Sequence, residues 1–150
     1  MTILKMTACH VPQIAELEKL CFHDPWSENS IASELHNKLS NWLVAIDDDQ
    51  VVGYVGSQTV LGETDMMNIA IHPQYRKQGI QKLFLDALMD KYLPGQEISM
   101  TTYREGDKAD TGHRDILKQL GFAERELLIE FGYPTQRFVL PPKYMEDIQE

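Results

Sequence analysis

The chain has 150 residues, of which 43% are hydrophobic, and a formal net charge of -9. This length predicts one domain, spanning residues 1–150, that can bury a substantial core. The acidic balance argues against a nucleic-acid-binding surface, which needs clustered Lys and Arg. No segment reaches the roughly 20 apolar residues of a membrane-spanning helix. Cys9 and Cys21 are too few for a disulfide scaffold, so we expect a soluble, cytoplasmic protein.

The first half of the chain alternates between strand and helix patterns. We predict a strand over residues 3–8, a helix over 11–21 and a second helix that begins after Ser27, its N-cap. Strands over 41–46 and 51–60 are joined by a tight, charged turn at 47–50. A third apolar run, 64–72, ends at Pro73 because proline cannot donate to a strand ladder.

The second half continues the alternation. Apolar residues at helical spacing follow Gly79, and a turn is predicted at Pro94-Gly95. A strand over 98–103 precedes a helix over 109–120, for which Asp107 or Thr111 is a possible cap. A strand over 122–131 follows, and a last strand over 136–140 closes the sheet. Together these elements predict a mixed sheet with helices on its faces.

A short basic loop stands out in this acidic chain. Arg76, Lys77 and Lys82 surround Gly79, where a helix is predicted to begin. Cations at a helix N-terminus are unfavourable by roughly 0.3–1 kcal/mol unless an anion is also present. A strand, a proline turn and a basic glycine turn that opens a helix form a phosphate-binding arrangement. Neither GxGxxG nor GxxxxGK followed by Ser or Thr is present, and a simple solvated turn remains the alternative.

The stretch NIAIHPQYRKQGIQKLFLDAL, residues 68–88, resembles motif A of the GNAT superfamily of acyl-CoA-dependent N-acyltransferases. The superfamily signature is Gln or Arg, two residues, Gly, one residue, then Gly or Ala; here Arg76, Gly79 and Gln81 occupy its positions. The resemblance implies a single α/β (α+β) domain of GNAT fold, with a mixed, mostly antiparallel sheet of six to seven strands and about four helices. It also implies that acetyl-CoA binds as co-substrate, its pantetheine on Ile69, Ala70 and Ile71 and its pyrophosphate on Arg76, Lys77, Gln78, Gly79, Ile80, Gln81 and Lys82.

Three further stretches are similar to RimI-like members of the superfamily. FHDPWSENS matches an FxxPWS segment, GYPT resembles a turn between the last two strands, and LKQLGF a helix-to-strand junction. The match departs at Gln81, where a small residue is usual. Either the glutamine side chain points away from the phosphates or the loop sits slightly differently. The match departs again at Thr102, in the loop REGDKADTGH and at Leu117, which stand where RimI-like enzymes carry a glutamate, an asparagine and a tyrosine, so their substrate is not transferred.

The reaction needs a group that deprotonates an ammonium and one that protonates the departing thiolate. An amine attacks a thioester only when neutral, so a carboxylate is the usual base. Asp65 is the first choice, since it aligns with the base of histone-type members and shares strand parity with Ile69 and Ile71; Glu63 is the reserve. Both can equally be solvated loop carboxylates. For the general acid, Tyr103 and His113 are candidates, although His113 can also be a packed helix residue.

The acceptor site is predicted from residues outside motif A. Trp26 would form one wall. Asp107 would attract a cationic acceptor or belong to a plain loop, and the Tyr133 hydroxyl would reach the acceptor or cap the sheet edge. The function that follows is transfer of an acetyl group from acetyl-CoA to a primary amine by direct attack, without a metal. The acceptor is a small molecule or a peptide; we expect no nucleic-acid or membrane partner, and a monomer or homodimer. A RimI-type peptide N-terminal acetyltransferase and a non-catalytic acyl-CoA-binding module remain alternatives.

Overall fold

A computed structural model describes residues 1–93 and 95–142. The bounds of the strands are β1 Thr2–Lys5, β2 Ser40–Asp47, β3 Gln50–Val60, β4 Glu63–Ile71, β5 Glu97–Tyr103, β6 Ala123–Glu130 and β7 Tyr133–Leu140. The α-helices in these ranges are α1 Val11–Cys21, α2 Glu28–Ser33, α3 Ile80–Ala87 and α4 His113–Gln119. Pro94, half of a predicted turn, lies outside the described residues.

The seven strands form one sheet in the order β1-β2-β3-β4-β5-β7-β6. Every neighbouring pair is antiparallel except β4 and β5, which run parallel. The predicted mixed, mostly antiparallel sheet of six to seven strands with about four helices is therefore confirmed. The expectation that the last strand closes the sheet is wrong, because β7 lies between β5 and β6, and β6 forms the edge.

Helices cover both faces of the sheet. The buried residues of α3 and Leu117 of α4 pack in one apolar cluster with Leu43, Val55 and Phe138 of the strands. The buried apolar residues of α1 and Ile31 of α2 pack in a second cluster on Trp42 and Tyr54. Each helix thus buries one apolar stripe against the sheet, as its periodicity predicts. Within residues 1–93 and 95–142, no helix is long and apolar enough to cross a membrane.

The end of β1 and the start of the last helix differ from the prediction, and side-chain hydrogen bonds account for both differences. β1 ends at Lys5, because the Thr7 N–H donates to His10 Nδ1 and a 3-10 turn follows at Ala8–His10. The last helix begins at His113 rather than 109. Asp110 Oδ1, and neither Asp107 nor Thr111, accepts the N–H groups of Gly112 and His113, at 3.2 and 2.8 Å.

The turn between the last two strands is also displaced from its predicted position. Phe131 and Gly132 both have positive φ, 52° and 80°, and Glu130 pairs with Tyr133 across them. This is a two-residue hairpin turn of the kind that matches the twist of antiparallel strands. GYPT therefore contributes its tyrosine and proline to β7, and β6 ends one residue earlier than predicted.

A β-bulge interrupts β4 at Met67. Gly56 of β3 pairs with Asn68 and Ser57 pairs with Met66, so Met67 is the extra residue. A bulge reverses the alternation of side chains along a strand. Met66 before it and Ile71 after it accordingly lie in the same apolar cluster, whereas Asp65 turns to the opposite face. The predicted shared parity of Asp65 with Ile69 and Ile71 is therefore wrong.

Candidate active site

β4 and β5 separate and leave a cleft in the sheet. Their described pairing ends where Asp65 meets Ser99, so the rest of β4 runs without β5 hydrogen bonds among the described residues. Three cavities follow this gap. One lies at the start of α3, one along the end of β4, and one between β5 and the segment after α1; their volumes are about 410, 290 and 650 Å³. We call them the loop cavity, the channel and the acceptor cavity.

The loop cavity is built by the basic stretch before α3. Lys77 and Gly79 adopt left-handed conformations, with φ of 65° and 77°, and a Cβ at Gly79 would meet nothing within 4 Å. The first N–H groups of a helix have no intrahelical partner, and alternating left-handed residues turn neighbouring N–H groups the same way. This loop therefore offers backbone donors to an anion, as the chemistry of a pyrophosphate requires.

The Arg76 side chain makes contacts that the motif does not predict. Arg76 Nε donates to the carbonyl of Ile71 at 3.1 Å, and another of its nitrogens lies 3.6 Å from Cys21 Sγ. Its guanidinium thus ties the loop to the end of β4. Gln81 borders the loop cavity and the channel. The direction of the Gln81 side chain relative to the phosphates therefore stays a prediction.

The channel joins the other two cavities. Ile69, Ala70 and Ile71 line it, together with Cys21, Phe22, Arg76, Gln81 and His113. Ile71, Arg76 and Gln81 also line the loop cavity, and Phe22, Ile69 and His113 also line the acceptor cavity. A long, thin molecule can therefore run from the loop along the unpaired edge of β4 to the acceptor cavity.

The acceptor cavity has an acidic and aromatic wall. Its carboxylates are Glu18, Asp24 and Glu130, and its aromatic side chains are Phe22, Trp26 and Tyr103. No Lys or Arg lines it among the described residues. Two histidines, His23 and His113, complete its titratable groups, and burial lowers the pKa of His113. The described lining of this cavity therefore contains three carboxyl groups and no Lys or Arg.

Glu18 is a cavity residue that the sequence analysis missed. Only 1% of it is exposed, and its Oε1 accepts the Trp26 N–H at 3.2 Å, which holds the segment between α1 and α2. Its Oε2 has no hydrogen-bond partner in the described structure. Burial, with Glu18 adding to it, raises the pKa of the neighbouring Tyr54 hydroxyl. The one feature of the sequence that could have indicated it is the position of Glu18 on the apolar face of α1.

The predicted catalytic residues are not all brought together. Tyr103 lines the acceptor cavity. Its ring packs edge-on against that of Tyr133, with the two ring centroids 6.2 Å apart. Asp65 Oδ1 accepts the hydroxyl hydrogen of Ser99. Asp65 and Glu63 are both exposed, and neither lines the acceptor cavity or the channel.

The three predicted acceptor-binding residues lie in two places. Trp26 lines the acceptor cavity. Asp107 and Tyr133 meet outside it, where the Tyr133 hydroxyl donates to Asp107 Oδ2 at 2.6 Å. This bond lowers the pKa of Asp107 and raises that of Tyr133. The pair fastens the loop after β5 to the start of β7.

His113 lies at the junction of the acceptor cavity and the channel. Its Nδ1 is 2.7 Å from the hydroxyl oxygen of Thr102, which is itself buried. Thr102 and Leu117 stand at two of the positions where the RimI-like pattern is lost. Leu117 is a core residue that is 2% exposed, whereas Thr102 reaches the cavity wall.

Comparisons with known proteins agree with this geometry. The family model described as "Acetyltransferase (GNAT) domain" matches residues 38–124. The [ribosomal protein bS18]-alanine N-acetyltransferase of Haemophilus influenzae is 29% identical over 126 residues, 83% of each chain.

Solved structures share the fold over nearly the whole chain. The ribosomal-protein-S18-alanine N-acetyltransferase from Escherichia coli superposes with a TM-score of 0.77 at 22% identity, covering 93% of this chain and 92% of that one. An aminoglycoside 6'-N-acetyltransferase complexed with coenzyme A gives 0.75 at 16% identity, covering 94% and 97%. The family match covers more than half of the sequence, so the chain belongs to the GNAT family and is an N-acetyltransferase.

Proposed function

We propose that this enzyme, one domain over residues 1–150, transfers the acetyl group of acetyl-CoA to the primary amino group of a cationic acceptor. The observation that carries the proposal is the continuous cleft, with backbone donors for an anion at one end and an acidic cavity at the other. The loop would hold the pyrophosphate, and Ile69, Ala70 and Ile71 the pantetheine. The thioester would then lie beside His113, at the mouth of the acceptor cavity.

The acidic acceptor cavity favours a protonated amine as substrate. Opposite charges in a cleft with low-dielectric walls attract more strongly than in open water, so Glu18, Asp24 and Glu130 would concentrate an ammonium there. Direct attack of the amine on the thioester needs no covalent enzyme intermediate. The base role of Asp65 or Glu63 and the acid role of Tyr103 stay predictions; of these residues, Tyr103 is the one that lines the cavity.

A peptide N-terminus is the second candidate acceptor. Relatives that match 83% of this chain are named for acetylation of an alanine of a ribosomal protein. The acceptor cavity is also large enough, at about 650 Å³, for the first residues of a peptide. This candidate agrees with a cytoplasmic enzyme, since ribosomal proteins are made in that compartment.

An amine panel tests the proposal. The purified chain is incubated with acetyl-CoA and with spermidine, lysine or short peptides that begin with alanine, and products are identified by mass spectrometry. We expect one acetyl group on an amino group of at least one cationic acceptor. Preference for peptides would select the second candidate. Tight binding of acetyl-CoA without turnover of any amine would support the non-catalytic binding module instead.

A further inference from the structure

His113 has a position that its helical packing does not explain. Phe22, Ile69 and His113 are the residues that border both the acceptor cavity and the channel. Phe22 and Ile69 carry no ionisable group, so His113 is the titratable side chain at this junction. An acceptor nitrogen and a thioester that meet there would both lie beside its imidazole.

The backbone of His113 is fixed by the start of α4. Gly112 before it has a φ of 106°, and Asp110 Oδ1 accepts the His113 N–H at 2.8 Å. The ring is held by a second contact, since Nδ1 lies 2.7 Å from Thr102 Oγ1. Nε2 has no protein partner among the described residues and remains available to a ligand.

The surroundings favour the neutral form of the imidazole. Burial lowers the pKa of His113, and the nearby Asp110 carboxylate opposes this only in part. The titratable and charged groups that share its two cavities are Glu18, Cys21, His23, Asp24, Arg76, Tyr103 and Glu130. A neutral imidazole with one nitrogen held is suited to accept a proton at the other nitrogen near neutral pH.

Resting on the proposed function, we propose that His113 is the proton acceptor of the acetyl transfer, with Thr102 as the positioning residue that orients its ring. A proton passes from the acceptor ammonium to Nε2, and the freed nitrogen pair forms a bond to the thioester carbonyl carbon. The carbon–sulfur bond breaks, and its electron pair leaves with the sulfur. The imidazolium then gives its proton to that sulfur, while the second proton of the new amide nitrogen goes to solvent.

This proposal differs from the roles predicted from sequence. His113 was one of two general-acid candidates there, beside Tyr103; here it also takes the base role that was predicted for Asp65 or Glu63. It also gives Thr102 a function at a position where the RimI-like pattern carries a glutamate. The imidazole comes from the helix that follows β5, one turn before Leu117.

The test measures His113→Gln on the best acceptor found for the wild type. Glutamine keeps a polar group that can bond Thr102 but cannot act as a base. We expect kcat to fall about 100-fold or more at neutral pH, the usual contribution of general-base catalysis. The dissociation constant for CoA should stay within about two-fold, and the acidic limb of the kcat/KM pH profile should disappear. His36→Gln, the same change at an exposed residue outside the cleft, is the matched control.

Thr102→Val separates a positioning role from a structural one. Without the hydroxyl the ring loses its partner, so kcat should fall less than in His113→Gln, with the acidic limb shifted but present. A His113→Gln enzyme with wild-type kcat and pH profile would overturn the proposal. So would a loss of 100-fold in Asp65→Asn, Glu63→Gln or Tyr103→Phe with none in His113→Gln.

Other outcomes remain decisive. If His113→Gln does not fold, an unchanged pH profile in Thr102→Val counts against the proposal and a shifted one supports it. Failure of the wild type to acetylate any amine would refute the proposed function, whereas an active wild type with an equally active His113→Gln refutes only the role of His113.

Discussion

Gly79 is the residue through which the cofactor proposal is tested most directly. Its φ is 77° and its Cβ position is open, so an aspartate there would add a charge beside the proposed pyrophosphate site. We expect Gly79→Asp to abolish CoA binding measured by calorimetry. Substitution of a left-handed glycine also costs stability, of the order of 1–2 kcal/mol, because a Cβ crowds the following carbonyl.

Gly62→Asp is the matched control for that strain. Gly62 also has a left-handed φ, 83°, and open space around its Cβ position, but it lies in the turn between β3 and β4. Both variants should lose similar stability, while Gly62→Asp keeps CoA affinity. Wild-type CoA binding by Gly79→Asp would show that the loop is not the phosphate site.

The burial of His113 predicts how stability depends on pH. Its pKa in the folded chain lies below the ordinary value of 6.5, so below about pH 6.5 the unfolded chain binds the proton more readily. Stability should therefore fall as the pH drops from 6.5 towards the folded pKa and be unaffected by this group above 6.5. Asp107, Glu124 and Glu126 have lowered pKa values and act in a more acidic range.

Melting curves at about pH 7.5 and about pH 5 measure this contribution. The wild type should lose more melting temperature between the two than His113→Gln does, because glutamine does not titrate. His36→Gln, at an exposed position, should behave like the wild type. An equal loss in all three proteins would mean that His113 is not desolvated as the structure places it.

The parts of the site that could be predicted from sequence are local ones. The loop around Gly79 is formed by residues that are adjacent in the sequence. Its glycine, its cations and the start of the helix can therefore be recognised together. The acceptor cavity instead combines α1, β4, β5 and the start of α4, and nothing in the sequence shows that Glu18 and His113 face the same space. The prediction for Asp65 rests partly on counting alternate residues, and the bulge at Met67 invalidates that count.

At the scale of elements, strongly periodic segments were predicted well and turns less well. The predicted bounds of α1 are those observed. The residues that form its apolar stripe and its ends all lie within the helix or next to it in sequence. The start of α4 depends on which of several Asp and Thr side chains accepts a backbone N–H. Asp110 is the one that accepts the N–H of His113. Strand order could not be deduced, since β7 reaches β5 only in the folded sheet.

Two hairpin turns share an unusual feature. Leu61-Gly62 and Phe131-Gly132 each place an apolar residue in a left-handed conformation, with φ of 51° and 52° for Leu61 and Phe131. Both side chains are fully exposed. The preferred sequence for such two-residue turns is Asn-Gly, because asparagine tolerates positive φ.

Leu61→Asn and Phe131→Asn should therefore each stabilise the chain. The gain expected from relieving a left-handed apolar residue is about 1 kcal/mol, or roughly 2–4 °C in melting temperature for a chain of this size. Leu20→Asn, at an exposed leucine within α1, controls for the removal of surface apolar area and should not stabilise. A gain in Leu20→Asn equal to the others would assign the effect to solubility rather than to backbone conformation.

At the scale of the molecule, charge is unevenly distributed. The chain carries a formal net charge of -9, yet the loop cavity is bordered by Arg76, Lys77 and Lys82 and the acceptor cavity by three carboxylates. An anionic cofactor and a cationic acceptor would thus approach opposite ends of one cleft, each attracted by local charge. Attraction of this kind raises association rates and is weakened by salt.

The salt dependence of acceptor preference tests this distribution. Two peptides that both begin with alanine, one with lysine and one with glutamine at the second position, differ in one charge. At low ionic strength we expect kcat/KM to be several-fold higher for the lysine peptide. The difference should shrink as salt rises, because the Debye length falls from about 10 Å at 0.1 M to about 3 Å at 1 M. Glu130→Gln, which removes one carboxylate of the cavity wall, should reduce the low-salt preference. A preference that is independent of salt, or that favours the glutamine peptide, would show that the negative charge of the cavity does not select the acceptor.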